Sequence, residues 1–205
     1  FVTTRIGIAK ITRENYITTD NLLQNRQGIK QYEGTLNFDS AIEYHKNDVL
    51  ISNIRPYLKK IWIADKNGGC SPDVLVFRVA DENTILPKYI FAQLSQDFFF
   101  DFVMANPKGI KMPRGDKDII DSFKLPLPPL DVQKSIVAEC EQVDSEYQNA
   151  QNEIAESKEK IVELMEISLK TANDIYKLSN KDIFDISIGR RILSTEISET
   201  FDIPV

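Results

Sequence analysis

From residue 131 to about residue 178 the chain contains neither glycine nor proline, and apolar or small residues recur there on a seven-residue repeat. Ile136, Val143, Ala150, Ser157 and Leu164 fall at one heptad position, and Cys140, Tyr147, Ile154, Ile161 and Ser168 at the other. A period of 3.5 puts both sets on one stripe of a single helix, the seam of a coiled coil. Ala150 and Ser157 in mid-seam predict close helix approach there. Such a stripe cannot be buried by its own helix, so the segment calls for a second helix.

Leu125-Pro126-Leu127-Pro128-Pro129 precedes this helix. Each proline fixes its own φ and biases the residue before it to extended conformations, which makes a stiff connector and a domain boundary. Upstream the pattern is mixed. Asp48–Ser52 and Lys60–Ala64 are rich in β-branched and aromatic residues and read as strands. Asn67-Gly68 followed by Val74-Leu75-Val76-Phe77 predicts a β-hairpin with the second of them. From Pro87, Ile90, Phe91, Leu94, Phe98 and Phe102 follow helical spacing, and Phe98-Phe99-Phe100 reads as core. Residues 105–117 form a basic loop rich in Pro and Gly. The fold class is therefore α+β: a mixed globular domain over residues 1–130, a coiled-coil helix over 131–180, and strand-like residues over 181–205 that open a further unit or form a C-terminal extension.

The net charge of −6 at first argues against a nucleic acid partner, but the charge is unevenly spread. Residues 1–130 hold 17 Lys and Arg against 15 Asp and Glu, whereas residues 131–205 hold 8 against 16. The acidity belongs to the helix, as a solvated face, and the globular part is mildly basic. No run approaches the roughly 18–20 apolar residues that span a bilayer, so no membrane partner and a cytoplasmic location are expected. The start at Phe1 suggests a fragment or processed chain.

Motifs for chemistry are missing. Cys70 and Cys140 lie far apart with His45 as the sole histidine, which argues against a zinc site. No phosphate-binding loop is present. Asn106-Pro107-Lys108-Gly109 only echoes an adenine methyltransferase motif, and Pro72-Asp73 with Glu156-Ser157-Lys158 matches a nuclease pattern in letters but not in placement. No enzymatic activity and no cofactor are expected.

Leu125-Pro126-Leu127-Pro128-Pro129-Leu130-Asp131-Val132-Gln133 closely resembles a signature of Type I restriction-modification specificity (S) subunits, in which a Pro-Pro-Leu-x-x-Gln segment ends a target recognition domain and leads into a conserved-region helix. Asn15–Leu23 and Asp48–Leu58 are similar to segments of the same family. Residues 185–191, with Ile203-Pro204-Val205, look like the opening of a second recognition repeat. The resemblance implies that the globular domain reads part of a bipartite target in double-stranded DNA. It also implies that the helix docks a DNA methyltransferase (modification) subunit and, through it, a restriction subunit. A second repeat or a second copy would complete the coiled coil through Ile136, Cys140, Val143, Tyr147, Ala150, Ile154, Ile161 and Leu164.

Two basic segments are candidates for DNA contact. Asn53, Arg55, Tyr57, Lys59 and Lys60 lie between predicted strands, and Lys108, Lys111 and Arg114 lie in the basic loop. Arg pairs bidentately with guanine and Asn with adenine, whereas Lys suits phosphate. Arg55-Pro56-Tyr57 belongs to a family-like stretch, so a role in the fold or in general backbone contact stands beside base reading. Two other readings remain open: a coiled-coil module whose head binds a protein, and the specificity segment of a fused single-chain restriction-modification enzyme.

Overall fold

The structure, a computed structural model, describes residues 1–105, 107–109 and 112–172. Lys111, the expected end of the helix near 178 and the expected second repeat over 181–205 lie outside the described residues. The chain divides into two units, Phe1–Gln148 and Asn149–Val205.

The first unit is built on two sheets. One orders β1 (Arg5–Gly7), β3 (Ser40–Tyr44), β6 (Gly68–Cys70) and β2 (Tyr16–Ile17), with β2 and β6 parallel and the other pairs antiparallel. The second is antiparallel and orders β5 (Ile61–Ile63), β4 (Val49–Ser52) and β7 (Val74–Phe77). Helices α1 (Pro87–Leu94), α2 (Asp97–Met104) and α3 (Lys117–Asp121) cover the outer face of the second sheet, and α4 (Leu130–Thr171) follows. The expected α+β class is what forms.

Strand alternation sorts the core into layers. Leu50, Trp62, Val74 and Val76 meet Ile17, Tyr44 and Cys70 between the sheets. Their neighbours Val49, Ile51, Ile61 and Leu75 face Leu94, Phe99, Phe100, Val103 and Ile120 of the helices. All four residues of β4 are buried, which is why Val49-Leu50-Ile51 is a continuous apolar run rather than an alternating one.

Two expectations are corrected. The strands at 60–64 and 74–77 do not form a hairpin, because β4 lies between β5 and β7 and the intervening Gly68-Gly69-Cys70 crosses to the other sheet. Gly68 and Gly69 serve close approach rather than a left-handed turn. A Cβ on Gly68 would lie 2.1 Å from the Asn15 carbonyl oxygen, and one on Gly69 would lie 2.7 Å from Ile11 Cδ1. Nor is there one aromatic helix: Gln96, extended at φ −73° and ψ 152°, separates α1 from α2. The break shifts the helical phase, so Phe99 and Phe100 are buried while Phe98 is half exposed.

Two Thr-x-x-Asn sequences make matching turns. Asn15 Oδ1 accepts from Thr12 N at 2.7 Å, and Asn21 Oδ1 accepts from Thr18 N at 2.6 Å. Buried Asn21 also donates to the carbonyls of Tyr16 and Lys30 at 2.9 and 3.1 Å, so its amide replaces the backbone partners that this irregular stretch lacks.

The proline connector is held by side chains. Tyr89 Oη donates to the Pro126 carbonyl at 2.9 Å. Gln133, fully buried in the first turn of α4, accepts from Leu86 N at 3.0 Å and donates to the carbonyls of Thr84 and Pro128 at 3.0 and 2.9 Å. Beyond it Ile136, Val137 and Cys140 are half-buried. Among the described residues no helix is long and apolar enough to cross a membrane, and no cluster of three or more His, Cys, Asp or Glu could hold a metal ion.

Candidate nucleic-acid interface

The two basic segments, 60 residues apart in sequence, meet in space. Ile54 and Arg114 form an antiparallel β-bridge, Arg55 N donates to the Pro113 carbonyl at 2.8 Å, and Gly115 N donates to the Asn53 carbonyl at 3.1 Å. Lys108 and Arg114 bridge in turn, with reciprocal backbone bonds of 2.8 Å. Both segments therefore leave one end of the second sheet, where Asn53 N donates to Asp73 O at 2.8 Å.

Between Asn53 and Lys60 the chain makes a 3-10 turn, Pro56–Leu58, flanked by two residues in the left-handed region: Arg55 at φ 51° and Lys59 at φ 50°. Neither is glycine, and backbone strain of this kind collects at functional sites. The turn presents Arg55 and Tyr57 outward, with Tyr57 49% exposed. The Arg55 guanidinium has no hydrogen-bonding or ion-pair partner among the described residues.

Of the remaining candidates, Lys59, Lys60, Lys108 and Arg114 are engaged by internal partners. Asn53 is buried, and its Oδ1 lacks a hydrogen-bond partner among the described residues. Lys59 Nζ lies 2.8 Å from Asp97, which also binds Arg26. Hydrogen bonds from these two cations hold the Asp97 carboxyl below the usual carboxylate range. Lys60 Nζ donates to the Thr19 carbonyl, and burial pushes its ammonium down against the opposing effect of Asp20. Lys108 pairs with Asp116 at 2.9 Å, and Arg114 lies 3.3 Å from Asp73. Asp116 also caps α3 by accepting from Asp118 N. Lys111 lies outside the described residues.

Of the seam residues, Ile136 and Cys140 are half-buried, while Val143, Tyr147, Ala150, Ile154, Ile161 and Leu164 are exposed. From Val143 onward the apolar stripe of α4 is thus exposed among the described residues.

Residues outside the two basic segments fix the other end of the second sheet. Asp48, 2% exposed, takes a bidentate pair from Arg78 (Nε–Oδ1 2.9 Å, Nη2–Oδ2 2.7 Å) and accepts from His45 N at 2.7 Å. Asp48 opens the family-like Asp48–Leu58 stretch, but nothing in the sequence pointed to Arg78 as its partner. Hairpin residues 22–29 also touch the 3-10 turn, with Asn25 N donating to Leu58 O at 2.9 Å and Arg26 N to Lys59 O at 3.0 Å.

A family model described as the Type I restriction modification DNA specificity domain matches residues 8–157. The EcoDI Type I restriction enzyme specificity subunit of Escherichia coli is 28% identical over 101 residues, 49% of this chain and 22% of that protein. Among solved structures, the HsdS subunit from Thermoanaerobacter tengcongensis superposes with a TM-score of 0.56 at 23% identity, over 78% of this chain and 43% of that one. A chain from work on complex assembly and conformational transition of the type I R-M system gives 0.57 at 24%, with the same two coverages. At these identities the structural likeness is one of fold, and this chain spans less than half the length of each of these relatives.

Proposed function

The chain belongs to the Type I restriction modification DNA specificity domain family, and on that premise we propose that it is the non-catalytic DNA-reading part of a cytoplasmic Type I restriction-modification assembly. Residues 1–130 read one part of a bipartite target in double-stranded DNA. Helix α4, Leu130–Thr171, is the conserved-region helix that docks the methyltransferase subunit and, through it, the restriction subunit. The observation that carries the reading is the outward turn at Arg55–Lys59, where a strained backbone presents a guanidinium unpaired among the described residues and an exposed tyrosine beside the basic 108–114 segment. Lys59, Lys60, Lys108 and Arg114 supply the surrounding charge, although each must exchange an internal partner for phosphate.

Arg55→Ala is expected to weaken binding of the target duplex by roughly 5- to 150-fold, the ~1–3 kcal/mol of a good base contact. Arg114→Ala, if it loses a phosphate contact, lowers the slope of log affinity against log salt by about one. Titration of labelled duplex at several salt concentrations measures both. Unchanged affinity and slope in both variants, with the circular dichroism spectrum preserved, removes this surface from DNA binding and favours a head that binds protein.

The exposed seam supports pairing with a second copy or a second repeat. Burying each seam Ile, Leu or Val contributes about 1.5–3 kcal/mol, so Ile154→Asp with Ile161→Asp is expected to convert a dimer of this chain to monomer. Light scattering checks it. A wild-type chain that is monomeric, with no helix against the seam, defeats the pairing.

A further inference from the structure

The hairpin at residues 22–29 is built more rigidly than a connection requires. Buried Leu22 bridges Ile29, Leu23 N donates to Gly28 O at 2.8 Å, and Gln27 N closes the turn on Gln24 O at 3.2 Å. Both central residues have positive φ, Asn25 at 53° and Arg26 at 64°. A two-residue hairpin turn of this hand favours Asn followed by Gly, and an arginine in the second place is disfavoured by its Cβ. The arginine side chain compensates. Its Nε donates to the Ser95 carbonyl, its Nη2 binds Asp97, and its guanidinium lies 5.8 Å from the centre of the Phe100 ring.

Asp97 also holds Lys59, and the two backbone bonds from Asn25 and Arg26 fasten the tip to the 3-10 turn. Among the described residues five non-glycine positions have positive φ, and four of them, Asn25, Arg26, Arg55 and Lys59, meet at this junction. What the clamp leaves in solvent is Gln24, Asn25 and Gln27, all exposed. None of their side chains has a hydrogen-bond partner among the described residues. Uncharged amides add little to phosphate attraction, but a carboxamide matches the paired donor and acceptor of adenine in the major groove. Holding them on a fixed tip reduces what must be ordered on binding.

We propose that this tip is a base-reading element, in which Gln24, Asn25 and Gln27 extend the DNA surface of the Arg55–Lys59 turn and help to choose the sequence. The inference rests on the DNA-reading function proposed above, and the experiment separates the two. The natural protein that contains this chain, purified with its co-purifying subunits, is used to select from a random-sequence duplex library. It is compared with Gln24→Ala/Gln27→Ala and with Asn25→Gly, which keeps the left-handed backbone while removing the amide. The thermal midpoint of each variant is recorded, and the alanine pair carries the test if the glycine variant fails to fold.

The expected result is a selected motif that loses preference at one or more positions, with roughly 5- to 150-fold weaker binding of the wild-type motif and unchanged binding of unselected duplex. An unchanged motif and affinity, while Arg55→Ala still weakens binding, overturns the tip's role and leaves the DNA-reading function intact. No effect from the tip variants or from Arg55→Ala overturns the tip's role and removes the Arg55 surface from DNA binding, and a wild-type protein that selects no motif overturns DNA reading itself. Equal weakening on selected and unselected duplex makes the tip a general contact and overturns base reading.

Discussion

Arg78→Ala is expected to destabilise the globular unit by about 3 kcal/mol, near the lower end of the range for breaking a buried ion pair because Arg78 is itself partly exposed. The substitution strands the Asp48 carboxylate, 2% exposed, with the His45 N–H as its remaining donor outside the pair. Asp48 immediately precedes β4 and Arg78 immediately follows β7, and the register sets Val49 opposite Phe77. The pair thus closes the end of the second sheet opposite to the one from which the Arg55 turn leaves. Asp48→Ala/Arg78→Ala should be less damaging than the sum of the two single changes, because the second removal takes away a charge that the first left unpaired. Urea unfolding followed by tryptophan fluorescence reads the effect through Trp62, and a midpoint corresponding to less than 1 kcal/mol for Arg78→Ala would refute the assignment.

Gln133→Leu is expected to have an effect of similar size, about 3 kcal/mol. It leaves the part-buried Leu86 N–H and the Thr84 and Pro128 carbonyls without their side-chain partner, and each such group costs up to roughly 1–3 kcal/mol, partly recovered where water can enter. Gln133→Glu should be worse than Leu at neutral pH. It retains an acceptor for Leu86 N but turns a carboxylate toward two carbonyl oxygens that now receive an amide donor. Thermal melts of both variants, with limited proteolysis at the 125–129 connector, check the ordering. Wild-type melting by Gln133→Leu would show that the amide does not fasten the start of α4.

These residues mark where the sequence was readable. Strands β4, β5 and β7 and the long helix follow from β-branched runs and heptads, which are local signals. The pairing of β7 with β4 instead of β5 is decided by the layer that buries Val74 and Val76, which no turn residue announces. Gly68 and Gly69 suggested a turn by composition, yet their role depends on Asn15, Tyr44 and Ile11 arriving from elsewhere in the chain. The Pro-Pro-Leu-x-x-Gln segment could be matched by its letters, but the reason for its glutamine lies in Thr84 and Leu86, about 50 residues upstream. For the candidate interface, basic loops were visible at 53–60 and 108–114. Their joining through Ile54 and Arg114, and the carboxylates of Asp73, Asp97 and Asp116 that temper their charge, required the tertiary structure. The hairpin tip carried no signal because glutamine and asparagine in a loop are ordinary.

The junction of the three loops is tied mainly by backbone atoms: Asn25 N to Leu58 O, Arg26 N to Lys59 O, Arg55 N to Pro113 O, and the Ile54–Arg114 bridge. Main-chain bonds are indifferent to which side chain each residue bears. The outward positions at Gln24, Gln27 and Tyr57 can therefore be exchanged at little cost to the framework, whereas Asn25, Arg26, Arg55 and Lys59 are restricted by their positive φ to residues that tolerate it. A surface made this way separates inheritance of shape from inheritance of preference. Given the base reading proposed above, a lineage could acquire a new target by a few substitutions at these unrestricted outward positions while the scaffold passes unchanged from one specificity to the next.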